Sequence, residues 1–127
     1  MSVKKIIFSE NAPAPIGPYS QAVLAANTLY VSGQIALDQE TGKLILDDIQ
    51  TETRKVMENL GSVLRAAMMD YQNIVKCSIF VKNMGDFEKI NEVYGSFFQY
   101  DPPARETVEV SKLPKNVNVE ISCVSIG

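Results

Sequence analysis

The chain has no histidine and no tryptophan, and only two cysteines in 127 residues. Without histidine, His-based triads, His metal ligands and the commonest proton shuttle near neutral pH are all excluded. Cys77 and Cys123 stand far apart, each inside an apolar run, with none of the close pairing of zinc or redox motifs. They read as reduced, buried thiols of a reducing compartment. Also missing are an apolar signal core and any run of the roughly 20 apolar residues that a membrane span requires, so the cytosol is the expected location and no membrane partner is expected. No basic block exceeds Lys4-Lys5, and 12 Lys and Arg against 15 Asp and Glu give a formal charge of -3. That balance argues against nucleic acid as the main partner, because phosphate binding calls for a basic surface.

What is present is a chain with 46% apolar residues, enough to build one domain over residues 1–127 around a core of aliphatic side chains, Phe and Tyr. Residues 4–9 read as a first strand. Pro13, Pro15 and Pro18 forbid a helix over 10–19 and fix an ordered loop. Residues 21–26 and 28–34 read as a hairpin turning at Asn27, and Thr41-Gly42-Lys43 marks a second turn.

Asp47-Asp48 opens a long helix ending near Asp70, whose stripe is Ile49, Thr53, Val56, Leu60, Val63 and Ala67. Gly61 in its middle leaves room for close packing on a sheet. Met57, Met68 and Met69 read as packing residues. Residues 74–82 form a strand with Val75, Cys77, Ile79 and Val81 on one face and Lys76, Ser78, Phe80 and Lys82 on the other. A second helix spans 86–100 with Asp86 as N-cap. Two more strands, 106–113 and 117–124, flank Pro114-Lys115-Asn116. The order βββ-α-β-α-ββ predicts an α+β fold: a single mixed sheet of about six strands with two helices on one face. The other face still carries apolar residues such as Phe80, which predicts self-association.

With no histidine and no metal-type cluster, the chemistry falls to Arg, Glu, Tyr, Ser and backbone amides. Arg105 follows a rigid Pro102-Pro103 turn and offers a planar fork, open on spacing alone either to a neighbouring acid or to a bound carboxylate. Glu120 lies on the polar side of the last strand, where it either faces solvent or orders a water and moves a proton. Strand parity puts Arg105, Thr107 and Glu109 on one face, and whether Glu120 joins them depends on register. Tyr19 follows the proline loop, and Gly33 can present a backbone N–H to an oxyanion. Ser20 and Ser32 lack any histidine base, which argues against a serine triad.

Taken in order, these segments resemble the RidA/YjgF family of reactive-intermediate deaminases over nearly the whole chain. The resemblance runs through Asn11-Ala12-Pro13-Ala14-Pro15-Ile16-Gly17-Pro18-Tyr19-Ser20-Gln21-Ala22, Val31-Ser32-Gly33-Gln34-Ile35 and the strand from Lys76 to Lys82. It continues in Ile90-Asn91-Glu92-Val93-Tyr94, Pro103-Ala104-Arg105, Val108-Glu109-Val110, Leu113-Pro114-Lys115 and Val119-Glu120-Ile121. It implies a chorismate-mutase-like homotrimer with pockets at the subunit interfaces. It also implies cofactor-free hydrolysis of 2-aminoacrylate, 2-iminobutanoate and related 2-enamino or 2-imino acids to 2-oxo acids and ammonia. By the same resemblance Arg105, helped by the Gly33 backbone, holds the substrate carboxylate and Glu120 positions or activates the water. Tyr19, Ser32, Asn91 and Thr107 line the pocket.

One departure stands out. Many members carry Ser-Cys after the arginine, where this chain has Glu106-Thr107, so no thiol is available there. On an alternating strand Glu106 is expected to point away from the pocket. Two other readings stay open. A non-catalytic protein that captures 2-oxo acids is favoured by the Glu106-Thr107 change. A ribonuclease or translation inhibitor is opposed by the acidic balance and the missing histidine.

Overall fold

In the computed structural model, which describes residues 3–127, the chain runs through β1 (Lys5–Ile7), β2 (Ala22–Ala25), β3 (Thr28–Gln34), α1 (Ile49–Ala66), β4 (Ile74–Val81), α2 (Phe87–Gly95), β5 (Ala104–Glu109) and β6 (Val119–Ile126). The order expected from the sequence is the order found. All six strands join one sheet, arranged β1-β2-β3-β6-β4-β5. β4 and β5 are parallel, and the other neighbouring pairs are antiparallel. The mixture follows from the connections. Parallel strands need a crossover, and α2 supplies it between β4 and β5. α1 carries the chain from β3 to β4, leaving between them the place that β6 fills.

α1 starts because Asp48 caps it: its side chain accepts the Thr51 N–H at 2.7 Å. The expected stripe is buried at Thr53, Val56, Leu60 and Val63, with Met57 and Leu64 beside it. The helix stops at Ala66, short of the expected end near Asp70. Met68 turns left-handed (φ 61°), its N–H bonding the Arg65 carbonyl and that of Met69 the Leu64 carbonyl, both at 2.9 Å. Met68 is therefore 95% exposed rather than a packing residue, whereas Met57 and Met69 are buried. The close approach expected of Gly61 to the sheet is made instead to Tyr71, whose hydroxyl donates to the Met57 carbonyl at 2.7 Å.

Four further expectations shift. The hairpin turn uses Ala26 as well as Asn27, and the left-handed φ (55°) falls on Ala26. In β4, a register irregularity between Ile74 and Lys76 buries Ile74 and exposes Val75, so Val75 does not share the face of Cys77, Ile79 and Val81. α2 ends at Gly95, not Tyr100, because the chain tightens into three-residue turns through Phe98. Asp86 precedes α2 without a side-chain cap, and Asn83 caps a short turn ahead of it, accepting the Gly85 N–H at 2.8 Å.

The core lies between the helices and one sheet face, built from Leu29, Cys77, Ile79, Val81, Ile121 and Cys123 under the α1 stripe. The opposite face has no helix over it. There the register lines up Ile6, Val23, Tyr30 and Val124 across four strands, with Ile6 and Tyr30 each 52% exposed. Among the described residues no helix is long and apolar enough to cross a membrane.

Candidate active site

On the uncovered side, a hollow of about 370 Å³ is lined by Ile16, Tyr19, Ser32, Gly33, Ile35, Pro114 and Glu120. Its rim is the proline loop, and Gln21 holds that loop in place. The Gln21 side chain is buried. It accepts the Ser9 N–H at 2.6 Å and donates to the Ser9 and Pro13 carbonyls at 3.1 and 2.9 Å. A single amide thus substitutes for a strand ladder where proline cannot donate. Tyr19 then folds back so that its hydroxyl oxygen accepts the Ile16 N–H at 3.4 Å. The Ser32 hydroxyl donates to the Ser20 carbonyl at 2.6 Å, tying the loop to β3.

Gly33 falls where the β3–β6 register shifts between Val31 and Gln34. Glycine here leaves the Glu120 side chain the space that a Cβ would otherwise fill. Glu120 lies opposite Phe80 on β4 and is half-buried. Burial pushes its carboxyl above the usual carboxylate range. The hollow contains no cationic side chain, and the described residues give the Glu120 carboxyl neither an ion pair nor a hydrogen bond. It can therefore take or give a proton within an apolar setting.

Arg105 is elsewhere. Its Cα partner is Cys77, whose side chain is sealed under the helices. The guanidinium lies against α2, donating from Nη1 to Asn91 Oδ1, with its Cζ 5.1 Å from the Tyr94 ring centroid and 5.6 Å from that of Phe87. Among the described residues no carboxylate forms an ion pair with it. Its neighbour Glu106 points to the other face, as expected, bonded to Lys76 Nζ at 2.9 Å and to the Ser78 hydroxyl. Thr107 shares the Arg105 face, and its hydroxyl and that of Tyr94 are buried without a partner.

The predicted residues therefore form two clusters: Tyr19, Ser32, Gly33 and Glu120 on the open side, and Arg105, Asn91 and Thr107 on the helix side. Sequence parity left the relation of Arg105 to Glu120 open, and register decides it. Ser78 pairs with Glu106 and Ser122, and Cys77 with Arg105 and Cys123. Glu120 belongs with the former face, two strands away from β5. The walls Ile16, Ile35 and Pro114 went unnoticed as site residues, although the first and last sit in segments marked by their prolines. Among the described residues no three His, Cys, Asp or Glu side chains gather as a metal-binding group.

A family model described as Endoribonuclease L-PSP matches residues 9–126. A RutC family protein of Pyrococcus horikoshii is 47% identical over 123 residues, covering 97% of this chain and 98% of its own. The chain belongs to the RidA/YjgF family. A mouse relative of this RidA/YjgF protein, named 2-iminobutanoate/2-iminopropanoate deaminase, is 40% identical over 98% of this chain and 92% of its own. The crystal structure of E. coli TdcF with bound serine superposes with a TM-score of 0.93 at 37% identity, covering 97% of this chain and 98% of that one. In this RidA/YjgF chain Glu106 leaves the Arg105 side free of its charge, because the two side chains leave β5 on opposite faces.

Proposed function

We propose that the protein hydrolyses reactive 2-enamino and 2-imino acids, such as 2-aminoacrylate and 2-iminobutanoate, to 2-oxo acids and ammonia in the cytosol. The observation that carries this reading is a carboxyl group of raised proton affinity, alone in a small apolar hollow, in a chain that also carries an arginine with no acidic partner among the described residues. Its deaminase-named relatives support the same chemistry.

The hollow has no cation to hold a substrate carboxylate, and Arg105 leaves the opposite sheet face. One protomer therefore supplies half a site. In the proposed assembly a homotrimer closes over the uncovered sheet face, and Arg105 of one copy, steadied by Asn91, meets the Glu120 hollow of the next. The guanidinium fork binds both oxygens of the 2-imino carboxylate. The enamine first tautomerises, so that C2 becomes the electrophilic carbon of a C=N bond. Ionised Glu120 takes a proton from water as the oxygen attacks C2, the C=N pair moves to nitrogen, and a carbinolamine forms. That proton passes to the nitrogen to complete the neutral carbinolamine; Glu120 then takes the hydroxyl proton and delivers it to the same nitrogen, the C–N bond breaks, and ammonia leaves as the 2-oxo acid C=O forms. The group that acts as base and then as acid has to exchange its proton readily, and burial of Glu120 adjusts it in that direction.

The test generates 2-aminoacrylate or 2-iminobutanoate in situ with a serine or threonine dehydratase and follows 2-oxo acid release. Acceleration by the wild type, lost in Arg105→Ala and in Glu120→Ala, is expected. Saturable 2-oxo acid binding without acceleration would replace the enzyme with a binding protein, and RNA cleavage that survives repurification would replace it with a nuclease.

A further inference from the structure

Glu52 is the most deeply buried acidic residue of the chain, with no exposed surface, yet among the described residues no cation forms an ion pair with it. It belongs to the first turn of α1, where the positive end of the helix dipole favours a carboxyl group. Its two oxygens are both engaged by one residue. Oε2 accepts the backbone N–H of Asn118 at 2.8 Å, and Oε1 accepts the Asn118 side-chain amide at 2.7 Å. Asn118 is the residue immediately before β6, and Glu120 is the second residue of β6.

The segment so held has two backbone bonds of its own, the Asn116 N–H to the Leu113 carbonyl at 3.0 Å and the Val117 N–H to the Pro114 carbonyl at 3.3 Å, and neither reaches Asn118. Lys115 and Asn116 both adopt left-handed backbone angles (φ 54° and 57°), which side chains disfavour. Lys82 adds two outer ties, its N–H to the Asn118 carbonyl at 3.0 Å and its Nζ to Asn116 Oδ1 at 2.7 Å. This turn delivers two members of the hollow: Pro114 at its start and Glu120 just past its end. We infer that Glu52 is a positioning residue, a buried two-point clamp that fixes the turn and thereby sets Glu120 and Pro114 at the working spacing across the hollow. The inference rests on the reading of Glu120 as the proton-transferring group.

Two variants test it. In Glu52→Gln the amide oxygen still accepts the Asn118 N–H, and a flipped Asn118 side chain accepts from the new amide nitrogen, so both contacts survive. In Glu52→Ala both are lost, and Asn118→Ala removes only the side-chain arm. For imine hydrolysis, a displacement of the order of 1 Å at a proton-transfer group lowers kcat by roughly tenfold to a hundredfold. That loss is expected in Glu52→Ala with KM little changed, a smaller one in Asn118→Ala, and near wild-type kcat in Glu52→Gln. A second readout is independent of turnover: the titration of the Glu120 side-chain carboxyl by carbon NMR. Loosening the turn admits water to the hollow, so the Glu120 midpoint is expected to fall in Asn118→Ala and Glu52→Ala and to hold in Glu52→Gln. If Glu52→Ala does not fold, Asn118→Ala and Glu52→Gln carry the comparison. A folded Asn118→Ala protein with both kcat and the Glu120 midpoint unchanged overturns the inference. A wild type that hydrolyses no imine overturns the proposed function instead, and leaves the titration to decide the clamp.

Discussion

The carboxyl group of Glu120 lies over the α-carbon of Gly33, so close that a Cβ at position 33 would stand 2.7 Å from the carboxyl carbon and 3.0 Å from Cγ of the glutamate. No left-handed angle requires glycine here, because Gly42 is the glycine with positive φ. The requirement is space for a functional side chain. Gly33→Ala is therefore expected to push the mobile end of Glu120 aside rather than to unfold the chain. Stability should fall by no more than about 1–3 kcal/mol, while imine hydrolysis falls by up to about a hundredfold through misplacement of the proton-transferring group. Parallel thermal melts and dehydratase-coupled assays check this. Full activity in Gly33→Ala would show that the contact has no catalytic consequence.

Mixing experiments address the division of the site between copies. Arg105→Ala and Glu120→Ala are each expected to be inactive alone. After joint refolding in equal amounts, an intact Glu120 faces an intact Arg105 in one site of four, so roughly a quarter of wild-type activity should return. A site contained in one protomer gives no recovery, since every protomer then carries a defect.

The pH dependence has a definite sign. A carboxyl group whose folded pKa is raised by burial, as for Glu120, keeps its proton longer in the folded chain than in the unfolded one. Stability then declines as pH rises from the unfolded value, about 4.3, through the folded one. Glu120→Gln removes that penalty. The variant should unfold at higher denaturant than wild type above this window and at the same denaturant below it, while losing imine hydrolysis. In the wild type, kcat should fall on the acid side with a midpoint above the ordinary carboxylate range.

The parts of this molecule legible from sequence are those governed by local pattern. The α1 stripe, the Asp48 start and the alternation that sends Glu106 away from Arg105 all follow from periods of 3.6 and 2. Which face receives Glu120 does not, because it depends on β6 inserting between β3 and β4, a long-range choice of partner. Glu52 and Asn59 were equally hidden. Polar residues on a helix read as its wet side, yet Asn59 is buried and donates to the Ile35 and Leu37 carbonyls at 2.9 and 3.0 Å. Their partners are irregular segments that leave backbone groups unpaired, and sequence pattern does not reveal where those segments come to rest.

Gln21 offers a case in which one side chain does the work of a ladder. Gln21→Leu keeps the volume but strands the buried Ser9 N–H and takes the Gln21 amide away from the carbonyls of Ala12 and Pro13. A loss of about 2 kcal/mol or more is expected from the unpaired groups. Because the same loop carries Ile16 and Tyr19, amide hydrogen exchange should accelerate over the loop beyond the global change. A uniform change across the chain would refute the local role.

At Gly61 helix propensity and packing disagree in sign. Replacing a mid-helix glycine by alanine ordinarily stabilises by about 1 kcal/mol. Here a Cβ would stand 2.7 Å from Cζ of Tyr71 and 3.1 Å from an Arg65 guanidinium nitrogen, and would collide with the Tyr71 hydroxyl. That hydroxyl is bonded to the Met57 carbonyl, so the ring cannot withdraw without breaking the bond. Overpacking costs of this kind run to about 1–3 kcal/mol, which exceeds the propensity gain, and Gly61→Ala should destabilise. Tyr71→Phe alone should cost about 1 kcal/mol for the lost hydrogen bond. Because it also removes the nearest of the clashing atoms and frees the ring to shift away from the Cβ, the double variant should be more stable than the sum of the two single changes predicts, and urea denaturation of the four proteins measures that coupling. If Gly61→Ala raises the midpoint, or if the two changes add, Tyr71 does not occupy the space that this glycine leaves.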